Sequence, residues 1–182
     1  MLIVEGPDGG GKTTLITELQ AQMDIAIMPK ASRSDTGPDT RTLRKWVDQD
    51  LSTPNHSPHL YDRYPLISEP IYGPLIRGHM ADGFDDLQWF ASRCEMIRQR
   101  SAAIVFCLPP FEVTHRNVML NHDNSTKHMR GVRMKIRAIY EQYIVRCVLE
   151  AQAGTTVFVW DYTKEDAKRD FKDLMEIVER YS

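Results

Sequence analysis

Cysteine, histidine and long apolar runs are too few or too scattered in this sequence to support several common classes of protein. Its three cysteines, Cys94, Cys107 and Cys147, lack C-x-x-C spacing, and its six histidines show no metal-ligand spacing. No stretch reaches the roughly 18 apolar residues that a membrane-spanning helix needs. We therefore expect buried thiols, no metal site of the zinc type and no membrane partner.

An excess of one charge is also missing, with 23 Lys and Arg against 25 Asp and Glu. A strongly basic nucleic-acid-binding protein would have an excess of Lys and Arg. A local basic face is still compatible with the near-neutral balance of this sequence. With 182 residues, 42% of them apolar, the sequence fits one domain over 1–182. Because the apolar start at Met1 leads directly into a motif, we expect no signal or transit peptide and a cytoplasmic protein.

Short apolar runs alternate with amphipathic segments along most of the chain. The runs predict five strands, at residues 1–4, 25–28, 59–61, 102–107 and 155–160. Apolar residues at helical spacing predict helices over 12–23, 43–51, 85–97, 132–151 and 167–178. This alternation favours an α/β fold with a mainly parallel five-stranded sheet flanked by helices.

A glycine-rich turn between the first strand and the first helix matches the Walker A loop of P-loop NTPases. Its residues are Gly6, Pro7, Asp8, Gly9, Gly10, Gly11, Lys12 and Thr13, followed by Thr14. Backbone N–H groups of such a loop, at a helix N-terminus, form a cradle for phosphates. We expect Lys12 to bridge the β- and γ-phosphates of ATP and the Thr13 hydroxyl to bind Mg²⁺.

The remaining sequence favours a kinase over a nucleotide-dependent switch. A GTPase needs a D-x-x-G after a later strand and an N-K-x-D guanine-binding motif, and neither occurs outside the loop. Asp62 and Arg63 instead follow the third predicted strand, whose carboxyl end should face the phosphate loop. A carboxylate there can hold Mg²⁺ through water, and a guanidinium can bind an acceptor phosphate. We therefore predict Asp62 as a second metal ligand and Arg63 as the acceptor residue.

A cluster of basic residues predicts a short lid over residues 116–135. Its members are Arg116, Lys127, Arg130, Arg133 and Lys135. A basic lid that closes over the phosphates would exclude water and neutralise charge on the group in transfer. We expect Arg116 and Lys127 to contact the nucleotide and Arg130 and Arg133 to act in catalysis.

In these motifs the sequence resembles the thymidylate kinase group of P-loop nucleoside monophosphate kinases. The resemblance lies in residues 4–14, Asp62-Arg63-Tyr64, residues 108–110 and residues 130–143. It implies that Asp8 reaches toward the acceptor sugar and that Arg63 holds the acceptor phosphate. Family members without an arginine in the loop supply one from the lid, which implies Arg130 or Arg133 here. The expected reaction is Mg–ATP-dependent phosphorylation of a deoxynucleoside monophosphate, thymidylate-like.

Other acceptors remain open at this point. The family's Arg-Glu-Pro segment after the second strand is absent, which leaves the base pocket unassigned among Trp46, Tyr64, Tyr72 and Trp89. Residues 62–66 are also similar to deoxynucleoside and viral thymidine kinases, which phosphorylate a hydroxyl. A hydroxyl of a modified base or of DNA is a further alternative. Such an acceptor would need Asp8, Glu5 or Asp62 as its base.

Two further possibilities concern the class of protein and its assembly. If water alone accepts the phosphoryl group, an NTP-binding switch or ATPase is the alternative class. Apolar residues on the predicted helix over 87–97 could support a homodimer, although burial in the monomer is an equal expectation.

Overall fold

A computed structural model describes residues 1–28, 33–34, 37–53, 59–101, 103–121 and 129–179. Within these ranges, the strands are β1 Leu2–Glu5, β2 Ala26–Ile27, β3 Arg33–Ser34, β4 Gly37–Pro38, β5 His59–Asp62, β6 Ala103–Cys107 and β7 Val157–Trp160. Seven α-helices lie at α1 Lys12–Gln22, α2 Thr40–Ser52, α3 Pro65–Tyr72, α4 Leu87–Arg100, α5 Phe111–Asn121, α6 Met129–Gln152 and α7 Ala167–Glu179. A π-helical segment, Gly73–Arg77, continues α3.

Five parallel strands form one sheet in the order β2-β5-β1-β6-β7. β1 lies at its centre, where Leu2 is level with Leu60 of β5 and with Ala103 of β6. All of β1 and β6 is buried, because strands covered by helices on both faces need continuous apolar runs. The aligned register brings the carboxyl ends of β1, β5 and β6 to one edge.

Helices cover both faces of this sheet. On one face, α1 and α7 pack their apolar residues, among them Leu15, Leu19 and Leu174, against alternate residues of the central strands. On the other face, α2, α3, α4 and α6 bury a second cluster that includes Val47 and Tyr143. The predicted α/β fold with a parallel five-stranded sheet flanked by helices is confirmed.

The predicted elements differ from those of the structure mainly at their ends, but α5 lies outside the five predicted helices. The helix predicted over 132–151 is α6, which begins three residues earlier at Met129. The short antiparallel pair β3–β4 was not predicted, because two-residue strands carry no periodic pattern. Pro70 lies inside α3 without ending it, and the helix widens into the π-helical segment only at Gly73.

The apolar residues expected on a dimer-forming helix are mostly core residues. Trp89, Cys94 and Ile97 of α4 are buried within the chain, whereas Leu87 at the start of the helix is exposed. The alternative of burial in the monomer is therefore the correct one for these three. None of the helices within the described ranges is long and apolar enough to cross a membrane.

Candidate active site

The turn between β1 and α1 requires glycine at several positions. Gly6, Gly9 and Gly11 have φ angles of 140°, 75° and 88°, a region that L side chains rarely adopt. A Cβ on Gly6 would lie 2.6 Å from the carbonyl oxygen of Cys107, and one on Gly10 would lie 2.8 Å from the same oxygen. The loop therefore packs directly on the end of β6, and its shape depends on bare backbone.

Lys12, the first residue of α1, is folded back along this loop. Its Nζ donates hydrogen bonds to the carbonyl oxygens of Gly6 at 3.0 Å and of Pro7 at 2.8 Å. The side chain is buried, and burial lowers the pKa of its amine to about 8. A positive charge is thus held at the start of a helix, where anions are already favoured.

A cleft of about 600 Å³ opens beside the loop. It brings together eight residues predicted for the site with three others, and within the described ranges its lining is Asp8, Gly9, Gly11, Lys12, Thr13, Thr14, Asp62, Arg63, Asn117, Leu120 and Tyr162. Gly6 and Gly10 shape the loop from behind and are not part of the lining. The residues of the first and third predicted strands therefore meet as their positions at strand ends indicated.

Thr13 and Asp62 lie in this lining with the chemistry that Mg²⁺ prefers. One hydroxyl oxygen and one carboxylate would be suitable oxygen ligands for this cation. No group of three or more His, Cys, Asp or Glu side chains that could hold a metal occurs in the described part of the chain. The donor set thus fits a metal that is bound together with a nucleotide.

Arg63 reaches the cleft from a strained backbone position. It is the one non-glycine residue with positive φ in the described ranges, at 69°, which costs about 1–3 kcal/mol. Its Nη2 donates to Asp8 Oδ1 at 2.7 Å and to the Tyr72 hydroxyl at 2.7 Å. Burial alone would raise the pKa of Asp8, but the charges of Arg63 and Lys12 outweigh it and lower that pKa. The predicted acceptor residue is therefore held against the loop.

Glu5, one of three carboxylates considered as a base, lies outside the cleft. It is fully buried, its Oε1 accepts a 2.6 Å hydrogen bond from the Tyr64 N–H, and its Oε2 accepts a 3.0 Å bond from the Tyr143 hydroxyl. Burial raises the pKa of Glu5 to about 7. Because both oxygens are engaged and neither reaches solvent, Glu5 is not positioned to touch an acceptor.

The structure adds residues that sequence reasoning did not assign. Asn117 of α5 donates from Nδ2 to the carbonyl oxygen of Gly9 at 3.0 Å and to the Tyr162 hydroxyl at 2.7 Å. The Tyr162 ring covers Gly11, where a Cβ would lie 2.8 Å from ring carbons. Tyr162 lies two residues after the end of β7, so the rule that strand ends line the crevice could have singled it out. Asn117 carries no sequence signal of this kind.

The lid residues whose side chains the structure describes, Arg116, Arg133 and Lys135, do not line the cleft. Arg133 donates to Glu112 at 3.2 Å on the neighbouring helix, and Arg116 is exposed on α5. Lys127 and the side chain of Arg130 lie outside what the structure describes. A catalytic role for these four residues stays a prediction.

Two of the four candidate base-stacking residues belong to the core instead. Tyr64 and Trp89 are buried, and Trp46 packs against Tyr64 with ring centroids 5.7 Å apart. Tyr72 lies under the Arg63 guanidinium, 4.6 Å from carbon to ring centroid. Of the four, Tyr72 alone contacts a residue of the cleft by these measurements.

Similarity to solved structures extends over nearly the whole chain. The YorR protein from Bacillus subtilis, solved in complex with phosphorylated GDP, is 18% identical, with a TM-score of 0.68 and coverage of 99% of this chain and 96% of that one. Deoxyadenosine kinase from M. mycoides, solved with the products dCMP and dCDP, is 11% identical, with a TM-score of 0.59 and coverage of 100% and 99%. The same kinase with bound dCTP is 13% identical, with a TM-score of 0.59 and coverage of 99% and 100%.

At these low identities the likeness defines the fold alone, which this chain shares with the YorR protein and with deoxyadenosine kinase. No protein-family model matches the chain, and no curated protein matches it significantly. These structures do not single out the thymidylate kinase group, so that resemblance stays a prediction.

Proposed function

We propose that this chain transfers the terminal phosphoryl group of Mg–ATP to a small nucleotide acceptor, most specifically a deoxynucleoside monophosphate. One observation carries the proposal. The phosphate loop with Lys12 and the guanidinium of Arg63 line the same cleft, although they come from different strands. A donor phosphate and an acceptor phosphate can therefore bind side by side, which is the arrangement that phosphoryl transfer needs.

On the donor side, loop N–H groups and the Lys12 ammonium bind the β- and γ-phosphates. The amine leaves its bonds to the Gly6 and Pro7 carbonyls for stronger, charge-assisted bonds to phosphate oxygens. Thr13 and Asp62 would hold Mg²⁺, which would neutralise negative charge on the transferring group. Asn117 and Tyr162 fix the loop from the side that faces α5.

On the acceptor side, Arg63 exchanges its contact with Asp8 for the acceptor phosphate. The carboxylate is about two-thirds exposed, so it can turn toward the acceptor sugar once the guanidinium is engaged. A monophosphate is itself a competent nucleophile, so this route needs no protein base. The thymidylate-like preference rests on the resemblance in residues 4–14 and 62–64.

A hydroxyl acceptor is the second candidate, and the position of Asp8 favours it. This carboxylate lines the cleft, and its lowered pKa keeps it ionised at neutral pH and able to accept a hydrogen bond from a hydroxyl. The deoxyadenosine kinase neighbours share this fold and act, by their name, on a nucleoside. In either case Arg116, Lys127, Arg130 and Arg133 are proposed to close over the phosphates.

A release assay for ADP decides among these acceptors. Wild-type protein with Mg–ATP is offered each deoxynucleoside monophosphate, each deoxynucleoside, and DNA with free terminal hydroxyls, and Lys12→Ala serves as the blank. We expect a monophosphate to raise turnover about tenfold or more over water alone. A response to nucleosides alone would select the second candidate, and a response to no acceptor would return the switch or ATPase class.

A further inference from the structure

Arg63 has a backbone conformation that must be held in place by its surroundings. Its φ of 69° lies in the left-handed region, where the Cβ of a non-glycine residue is crowded. Such a conformation persists only when neighbouring contacts over-determine it. The contacts that do so also determine where the guanidinium points.

Two hydrogen bonds flank the rotatable backbone bonds of Arg63. Its own N–H donates to the carbonyl oxygen of Val4 at 2.9 Å, and the next N–H, that of Tyr64, donates to Glu5 Oε1 at 2.6 Å. The two oxygens that accept these hydrogen bonds belong to consecutive residues, Val4 and Glu5, at the end of β1. The first bond continues the pairing of parallel strands, whereas the second exists because a side chain takes over where the strand pairing ends.

The carboxylate that accepts the second bond is itself fixed. Glu5 is fully buried, and its other oxygen accepts a hydrogen bond from Tyr143 of α6 at 3.0 Å. A carboxylate with both oxygens engaged cannot rotate without losing a bond, and a buried unpaired N–H is costly. Glu5 therefore ties the backbone at residue 64 to two rigid elements, β1 and α6.

We propose that Glu5 is a positioning residue for Arg63, holding the backbone of residues 63 and 64 so that the guanidinium points at the acceptor side of the cleft. With the backbone held, Nη2 lies 2.7 Å from Asp8 Oδ1 and 2.7 Å from the Tyr72 hydroxyl. A backbone free to relax to negative φ would swing this side chain away from Asp8. The proposal rests on the proposed function for what Arg63 binds.

Three substitutions at Glu5 separate the effect of side-chain length from the effect of charge. Glu5→Gln keeps the length and an oxygen that can accept from the Tyr64 N–H. Glu5→Asp keeps the charge but is one methylene shorter, and Glu5→Ala removes the acceptor entirely. If Glu5 acts through its bond to Tyr64, the glutamine variant keeps the acceptor KM of the wild type and the aspartate variant does not.

Steady-state kinetics provide the first test. For Glu5→Ala and Glu5→Asp we expect the acceptor KM to rise about tenfold, with the KM for ATP changed by less than about twofold. Glu150→Ala is the matched control. Glu150, on α6, is a buried carboxylate like Glu5, but it accepts hydrogen bonds from Arg98 and Thr155 instead. This substitution should lower thermal stability without changing the acceptor KM. An equal rise in both KM values at Glu5 would overturn the proposal.

A double-mutant cycle tests whether the two residues act as one unit. Once Arg63 is alanine, there is no guanidinium left to position, so Glu5→Ala should add less than about twofold to the acceptor KM of Arg63→Ala. Full additivity would mean that Glu5 affects the acceptor by another route and would also overturn the proposal.

Amide hydrogen exchange by NMR tests the bond without any activity. The Tyr64 N–H should be protected in wild type and in Glu5→Gln and should exchange about tenfold faster in Glu5→Ala and Glu5→Asp, while the amides of β6 remain protected. Unchanged protection at Tyr64 in the aspartate variant would contradict the proposal even if the fold tolerates no alanine. If no acceptor is ever phosphorylated, the proposed function fails, and this exchange measurement still decides the role of Glu5.

Discussion

The two sides of the cleft are built in different ways. The donor side is one contiguous segment, residues 6–14, whose shape follows from glycines and from the start of a helix. The acceptor side is assembled from β1, the end of β5, α3 and α6, which contribute Glu5, Arg63, Tyr72 and Tyr143. The shape of the donor side is mostly local, with support from the end of β6 and from Asn117, whereas the acceptor side depends on several elements being packed correctly at once. Substitutions on the two sides should therefore change different kinetic constants.

The largest effect is expected from Lys12→Ala on the donor side. Loss of the ammonium removes charge stabilisation of the transferring group, and we expect kcat to fall roughly 1,000-fold or more. Lys45→Ala, at an exposed lysine of α2, is the control and should leave kcat unchanged. Full activity of the Lys12 variant would refute the assignment of the loop.

On the acceptor side, Arg63→Ala should act on one substrate alone. We expect the acceptor kcat/KM to fall on the order of 100-fold, with the KM for ATP nearly constant, because a charge-assisted contact to the acceptor phosphate is lost. Arg41→Ala, at an arginine whose side chain is 81% exposed, is the control. A change confined to the KM for ATP would move Arg63 to the donor side and break the comparison.

The buried carboxylate behind the acceptor side should make stability depend on pH. The pKa of Glu5 is raised to about 7 in the folded chain, above its ordinary value of 4.5, so the folded state binds this proton more tightly. The free energy of unfolding should therefore fall as pH rises from 4.5 to about 7. Urea denaturation of wild type and Glu5→Gln should differ across this window by on the order of 2 kcal/mol, with the variant gaining relative stability at the higher pH. Parallel pH profiles would contradict an ionising Glu5.

Gly11→Ala probes how local the donor side is. The substitution places a Cβ at a φ of 88°, 2.8 Å from the Tyr162 ring, and the exposed ring can move aside more easily than the backbone. The remaining backbone strain should weaken ATP binding by about tenfold without affecting the acceptor KM.

Gly131→Ala in α6 is the matched control, because nothing lies within 4 Å of the added Cβ. Because alanine is the better helix former, it should raise stability by about 0.5–1 kcal/mol in thermal unfolding.

The smallest effect is expected from Asn117→Ala. This change removes two hydrogen bonds of α5, one to the loop carbonyl of Gly9 at 3.0 Å and one to the Tyr162 hydroxyl at 2.7 Å. The bond to the loop is a neutral one that contributes about 1 kcal/mol, so the KM for ATP should rise about threefold to tenfold. Gln99→Ala, an amide on α4 that bonds only its helix neighbour Glu95 in the described contacts, should leave that KM unchanged. No change in the Asn117 variant would show that the loop holds its shape unaided.

The sequence by itself determined the alternation of strands and helices and the phosphate loop, because both depend on patterns among residues close together in the chain. Glycines at fixed spacing before Lys12, and apolar residues at the periods of a strand or a helix, report local geometry directly. Asp62 and Arg63 could also be placed, since a strand end in a parallel sheet has only one edge to face.

Only the tertiary structure decided how Arg63 is held and which partners surround it. The Glu5 carboxylate meets residue 64 because parallel pairing sets Val4 level with Asp62, a register that no local pattern encodes. The same carboxylate meets Tyr143 because α6 crosses this face of the sheet, 138 residues along the chain from Glu5. Such contacts arise from packing between distant segments, so their physical cause lies in the assembled sheet.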